Sequence, residues 1–284
     1  MNVLILGGNR FFGKKLTARL LEKNHTVTLL NRGNVDDGFA DRVSRIKCDR
    51  NDKEAFDQAI AGQSWDVVYD QICFDFDMAK TACDVFYGKT KRYIFTSSKS
   101  VYKPGENLRE ADFDPSKHLV DKLETSSSNY AEAKRQAEVG FYRYAKFPVV
   151  SVRFPIVIGH DDYTERFKFH IKRIKNKQPI YFPNLDANIT FITSDFAAEV
   201  LTALFDSSFE GPLNAASFKP IKLRRFIEII ENHVGEKMIS TDDESEEFHS
   251  PYGIDSDWFM NSEGLLKLGL KGEEIEAWLP KMLG

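Results

Sequence analysis

The chain opens on a run that leaves little choice of fold. Val3 to Leu6 is short and wholly apolar, and the turn Gly7-Gly8-Asn9-Arg10-Phe11-Phe12-Gly13 follows it. From about Gly13 to Lys23, Leu16, Leu20 and Leu21 then recur on one helical face. A strand apolar on both faces is buried on both, which is the environment of a parallel sheet covered by helices. The alternation repeats. Val27 to Leu30, Arg45 to Cys48, Trp65 to Tyr69, Arg92 to Thr96 and Val149 to Phe154 read as strands. Asp52 to Ala61, Ala79 to Tyr87 and Tyr130 to Tyr144 read as the helices between them, with a polar stretch from Lys103 to Ser128 before the last.

These elements predict an α/β chain with a doubly wound parallel sheet, a Rossmann fold, over residues 1–160. Beyond Gly159 the pattern loosens into a basic helix (Glu165 to Lys175), a strand-like Ile189 to Ile192 and helices at Asp195 to Phe205 and Leu223 to Val234. An acidic segment, Asp242 to Glu247, reads as an exposed loop. Residues 161–284 are expected to form a smaller, mixed region, interleaved with the first domain and binding the substrate.

Composition narrows the partners. A formal net charge of −4 gives no electrostatic case for a nucleic acid or a membrane surface. No apolar run approaches the ~20 residues of a membrane-spanning helix. The start Met-Asn-Val-Leu-Ile-Leu-Gly lacks a secretory leader's basic flank and long apolar stretch. Cys48, Cys73 and Cys83 form an odd set without a CxxC pair, so free buried thiols in a reducing, cytoplasmic setting are expected. His118, His160 and His170 have no metal-ligand spacing, and no metal is expected.

The glycine turn sits where a dinucleotide pyrophosphate would meet it. Glycines allow a tight turn and close backbone approach, and the helix that follows offers unpaired N–H groups and a partial positive charge. Gly7, Gly8, Asn9, Arg10, Phe11, Phe12 and Gly13 are therefore candidate NAD(P)-binding residues. After the second strand, an NAD site usually offers a carboxylate to the ribose 2′-hydroxyl. Here Asn31-Arg32 stands there, with Arg10 in the turn, and two cations suit the 2′-phosphate of NADP better. The alternative is that these arginines simply hold Asp36 or Asp49.

A tyrosine and a lysine four residues apart share one helical face, and the ammonium lowers the phenol's pKa toward that of a usable base. Three pairs have this spacing: Tyr87/Lys91, Tyr130/Lys134 and Tyr142/Lys146. Ligands of open parallel sheets sit beyond the carboxyl ends of the strands, where a helix following a strand begins. Only Tyr130/Lys134 lies in the first turns of its helix. The strand before it ends in Thr96-Ser97-Ser98-Lys99-Ser100-Val101-Tyr102, whose hydroxyls could bond a substrate oxygen.

With these motifs the chain resembles an extended or atypical short-chain dehydrogenase/reductase of the NAD-dependent epimerase/dehydratase family. The glycine turn, Thr96-Ser97-Ser98, Tyr130-Ala-Glu-Ala-Lys134, Val152-Arg153-Phe154, Phe191-Ile192-Thr193-Ser194-Asp195 and Pro212-Leu213-Asn214 carry the resemblance. The form Gly-Gly-Asn-Arg-Phe-Phe-Gly is most similar to a branch that includes chloroplast stem-loop RNA-binding proteins. The resemblance implies Tyr130 as acid/base, Lys134 on the nicotinamide ribose and Ser98 orienting the substrate. It places Asp49 and Arg50 by the adenine. The implied activity is an NAD(P)-dependent oxidoreductase, epimerase or dehydratase acting on a small hydroxyl or carbonyl substrate, such as a sugar derivative. It also implies a homodimer packed through two helices, one of them carrying Tyr130.

Three positions depart from the family pattern. Arg10 stands at the family's middle glycine, and Tyr69-Asp70-Gln71-Ile72-Cys73 replaces small apolar residues. Ile156 replaces the asparagine that contacts a nucleotide-sugar, which points away from that substrate. The alternative to an enzyme is a non-catalytic dinucleotide-fold protein that binds RNA or a regulatory partner. Its local support is the basic run Arg166, Lys168, Lys172, Arg173, Lys175 and Lys177.

Overall fold

Side chains alternate across the strands of the computed structural model, which describes all of Met1–Gly284, and that alternation divides the core in two. In order come β1 (Asn2–Leu6), α1 (Phe11–Glu22), β2 (Thr26–Asn31), β3 (Ser44–Lys47), α2 (Lys53–Ile60), β4 (Val67–Asp70) and α3 (Phe76–Val85). Then follow β5 (Tyr93–Ser98), β6 (Gly105–Leu108), α4 (Ser126–Tyr144), β7 (Val149–Phe154), β8 (Ile156–Ile158) and α5 (Arg166–Lys175). Next are β9 (Pro179–Ile180), β10 (Asn188–Ile189), β11 (Phe191–Thr193), α6 (Ser194–Ala203), β12 (Gly211–Asn214), β13 (Ile221–Lys222) and α7 (Leu223–Val234). The chain closes with β14 (Ile239–Ser240), β15 (Trp258–Met260) and α8 (Ile275–Leu283).

Seven strands form one parallel sheet in the order β12-β7-β5-β4-β1-β2-β3. Val3, Ile5, Val27, Leu29, Val67 and Ile94 face α1 and α6, whereas Leu4, Leu6, Leu30, Val68, Tyr93 and Phe95 face α2, α3 and α4. This is the doubly wound Rossmann architecture, with the strand order reversing between β1 and β4. No helix is long and apolar enough to cross a membrane.

A third core, including Phe167, Ile189, Phe191, Phe226, Tyr252 and Trp278, belongs to the C-terminal half. The two halves exchange elements. β12 and α6, from beyond residue 160, complete the large sheet and one of its covers. β6, inside the stretch read as merely polar, joins the small sheet β13-β10-β15-β6. The expected single strand at Ile189 to Ile192 is two: β10 pairs with β13 and β15, β11 pairs with β8, and the chain changes sheet at the buried Thr190 between them.

Candidate active site

The glycine turn comes first. Gly7 and Gly8 have φ of +97° and +74°, a region that L side chains avoid. A Cβ on Gly8 would stand 2.8 Å from Ile5 Cγ2 and 2.9 Å from Leu29 Cδ2, so the turn lies flat on the sheet only as glycine. Arg10 is extended (φ −142°) and acts as the N-cap residue of α1 without a side-chain bond to the helix. The left-handed residue is Phe11, at φ +49°. The first turn of α1 holds no acidic residue, so its N–H groups have neither a side-chain cap nor a carboxylate.

Gln71, at the end of β4, leans over this turn. Its Oε1 overlaps the place a Gly13 Cβ would take, and its Cβ lies 3.6 Å from that of an alanine at Gly7. Its Nε2 is buried with no partner. The end of β4 thus carries an orphan amide donor against a glycine cradle. An anionic dinucleotide fits these residues: glycines without Cβ, an uncapped helix and a free donor are what a pyrophosphate needs.

At the adenosine end, Asn31 Oδ1 accepts the Gly33 N–H at 2.9 Å and Asn31 Nδ2 reaches Gly7 O at 3.4 Å. Arg32 is exposed and makes no ion pair. Asp37 is taken by Arg45 at 2.8 Å, and Asp49 accepts the Asn51 N–H. Arg10 lies 5.1 Å from the Tyr163 ring centroid and pairs with no carboxylate. Arg50 differs from the adenine placement: its guanidinium is buried, donates to both Asp70 oxygens at 2.6 Å and caps Met78 O. A charge so deep takes the nearest buried carboxylate, and Tyr93 OH donates to the same Asp70.

β5 and α4 build the reactive end. Helical hydrogen bonding runs through Ser126–Tyr144, but the backbone kinks at Asn129, with φ −155° and ψ 91°. Asn129 Oδ1 accepts the Glu132 N–H at 3.1 Å, so Asn129 caps the long helix and Tyr130 is its first residue. The helix N-terminus favours an anion there. Gly140, whose added Cβ would stand 2.9 Å from Ala79 Cβ, lets α4 press onto α3. Lys134 is thereby 2% exposed, and its Nζ donates to Cys73 O at 2.6 Å and Thr96 O at 3.0 Å. The ammonium is held at the carboxyl ends of β4 and β5. Tyr130 is 42% exposed. Ser98 Oγ accepts the Ser100 N–H and donates to Ser100 Oγ, both at 3.1 Å.

A cavity of about 420 Å³ joins these groups. Ser98, Tyr130 and Lys134 line it together with Phe11 and Phe12 of the turn and with Gln71 and Ile156. Tyr87 and Tyr142 lie outside it, exposed, and Lys91 pairs with Asp66 at 2.7 Å.

Residues 3–75 match the model of the NAD dependent epimerase/dehydratase family. The resemblance read from the motifs is borne out. The chloroplast stem-loop binding protein of 41 kDa b from Arabidopsis thaliana is 28% identical over 220 residues, 71% of this chain and 54% of that protein. The chain thus spans about half the length of that curated relative. Among solved structures, UDP-glucose 4-epimerase from Thermotoga maritima with UDP-glucose superposes with a TM-score of 0.76 at 13% identity, covering 100% of this chain and 97% of that one. The Thermus thermophilus UDP-glucose 4-epimerase complex with NAD gives 0.70 at 18% identity, covering 99% and 94%. The Bacillus anthracis dTDP-glucose 4,6-dehydratase complex with NAD gives 0.74 at 15%, covering 100% and 95%. At such identities the likeness is one of fold.

Part of the cavity lining was not marked as such by the motifs. Lys99, Tyr163, Thr164, Arg166, Tyr252 and Trp258 line it, and four of them come from loops and elements with no strand–helix pattern. Lys99, within the strand end after Ser98, and Arg166, within the basic run, were named in the sequence, but nothing local marked either as a cavity residue.

Proposed function

We propose that the chain binds a nicotinamide dinucleotide across the β1/β4 switch point and catalyses oxidoreduction, epimerisation or dehydration of a small hydroxyl or carbonyl substrate. One observation carries this reading: a single cavity is lined both by the glycine-turn aromatics Phe11 and Phe12 and by Ser98, Tyr130 and Lys134. The family match and the NAD-bound epimerase and dehydratase relatives of the same fold support it.

Gly7, Gly8, Asn9, Arg10 and Gly13 with the first turn of α1 would hold the pyrophosphate, and Asn31 and Arg32 the adenosine ribose. The bound dinucleotide supplies a hydride acceptor. Tyr130, at a helix N-terminus, takes the proton of the substrate hydroxyl, and the Lys134 ammonium stabilises the phenolate. Ser98 Oγ orients the substrate oxygen. The unpaired Arg32 favours NADP, since a free guanidinium suits a 2′-phosphate. The implied homodimer would pack through α3 and α4, where Tyr142 is exposed.

The basic run gives the RNA-binding alternative little support. Lys168 and Lys172 pair with Glu165, Arg173 with Glu247 and Lys177 with Glu236. The deciding experiment is calorimetric titration with NAD and NADP, then substrate screening followed at the reduced-nicotinamide absorbance. Tyr130→Phe is expected to abolish turnover and leave dinucleotide affinity intact. Unchanged turnover in that variant removes Tyr130 as the base.

A further inference from the structure

Lys99 occupies the first position of the short turn after β5, beside Ser98, and lines the cavity while only 4% exposed. Its Nζ donates to Trp258 O at 2.9 Å and lies 4.3 Å from the Trp258 ring centroid. No carboxylate pairs with it. An ammonium has three N–H donors, so two are left without a protein acceptor. Burial alone lowers its pKa to about 7. The indole Nε1 of Trp258, on the same wall, is likewise buried without a partner.

The other charges of the cavity are already engaged. Lys134 donates to two carbonyls. Arg166 Nε donates to Thr164 Oγ1 at 3.0 Å, and Thr164 Oγ1 donates to Asp162 Oδ1 at 2.6 Å, which links the guanidinium to the single carboxylate of the lining. The remaining titratable groups are the phenols of Tyr130, Tyr163 and Tyr252. Three cations therefore face one carboxylate. Lys134 and Lys99 both lack a carboxylate, but Lys134 donates to two carbonyls and Lys99 to one, so Lys99 keeps the larger unmet donor capacity, and an unpaired buried charge is costly unless a ligand completes it.

We propose that Lys99, with the Trp258 indole N–H beside it, anchors an oxyanion of the substrate, a carboxylate or a phosphate, so that the small molecule taken by this cavity is acidic. The assignment rests on the cavity being the substrate site. The anion would supply the missing acceptors and draw a proton onto the amine, and the hydroxyls of Ser98 and Ser100 adjoin it. A neutral sugar of the same size would leave the ammonium uncompensated.

The test uses the full chain with lysine 13C-labelled at Cε, titrated with glucuronate, glucose 6-phosphate and, as the neutral control, glucose, with and without saturating dinucleotide. An acidic probe is expected to raise the Lys99 titration midpoint by about one pH unit or more, and glucose to leave it unmoved. Lys99→Met is expected to weaken binding of the acid about tenfold or more while dinucleotide affinity changes less than about twofold. A response to glucuronate alone assigns a carboxylate, and one to glucose 6-phosphate alone a phosphate. Equal binding of the acid by wild type and Lys99→Met overturns the proposal, as does failure of both acids to move the Lys99 resonance. A wild-type chain that binds no dinucleotide defeats the cofactor reading instead, and an acid-dependent Lys99 shift in that chain would still support the anchor.

Discussion

The two glycines that flank the turn should respond in opposite ways to the same added methyl. At Gly8 an alanine meets φ of +74°, which costs an L residue about 1–2 kcal/mol. It also meets Ile5 and Leu29 at 2.8 and 2.9 Å, core side chains that have no room to yield. Overpacking of this kind costs roughly 1–3 kcal/mol, so Gly8→Ala should lose about 2–5 kcal/mol and roughly 5–15 °C in Tm. At Gly13 the backbone is helical, where alanine gains up to about 1 kcal/mol over glycine. The nearest contact is the Gln71 amide, the free end of a flexible side chain, and the Gly8 Cα follows at 3.2 Å, which needs only a small backbone shift. Gly13→Ala should therefore keep stability within about 1 kcal/mol of wild type. Its methyl and the displaced amide would stand in the cradle, and dinucleotide affinity should fall about tenfold or more. Urea unfolding with and without dinucleotide separates the two effects, because a ligand at about 100 times its Kd adds about 2.7 kcal/mol to a chain that binds it. Unchanged dinucleotide affinity in Gly13→Ala would refute the cradle, and a Gly8→Ala chain as stable as wild type would refute the packing argument.

Arg32→Ala should weaken NADP about tenfold and leave NAD within about twofold, measured by calorimetry; equal losses would mean the guanidinium does not meet a 2′-phosphate. Glu138→Gln should cost about 3–5 kcal/mol in urea unfolding, because it strands Arg153, which is fully buried and donates to both Glu138 oxygens at 2.9 and 2.6 Å. Burial lowers the His170 pKa from the ordinary 6.5 to about 3. The unfolded chain then binds the extra proton between those values, so stability is complete above pH 6.5 and falls below it. The loss should approach about 1.4 kcal/mol per pH unit, and His170→Gln should remove that component of the slope.

Much of this molecule was written locally. A strand apolar on both faces must be covered on both, so Val3–Leu6 already required a parallel sheet between helices. The Asn129 cap that makes Tyr130 the first residue of its helix is likewise local, a bond to Glu132 three residues on. What escaped depended on partners far along the chain. Arg50 looked available to adenine until Asp70, 20 residues away in the chain, claimed it. Lys103 to Ser128 looked merely polar because β6 is completed by Trp258–Met260, from the far end of the chain. The cavity lining from Tyr163, Tyr252 and Trp258 is the extreme case. By itself the chain determined the strand–helix alternation, the turn and the spacing of Tyr130 and Lys134, since each follows from patterns a few residues long. Only the tertiary structure decided that Lys99 lies unpaired beneath Trp258, because burial and the absence of a counter-charge are properties of the assembled neighbourhood and of no single segment.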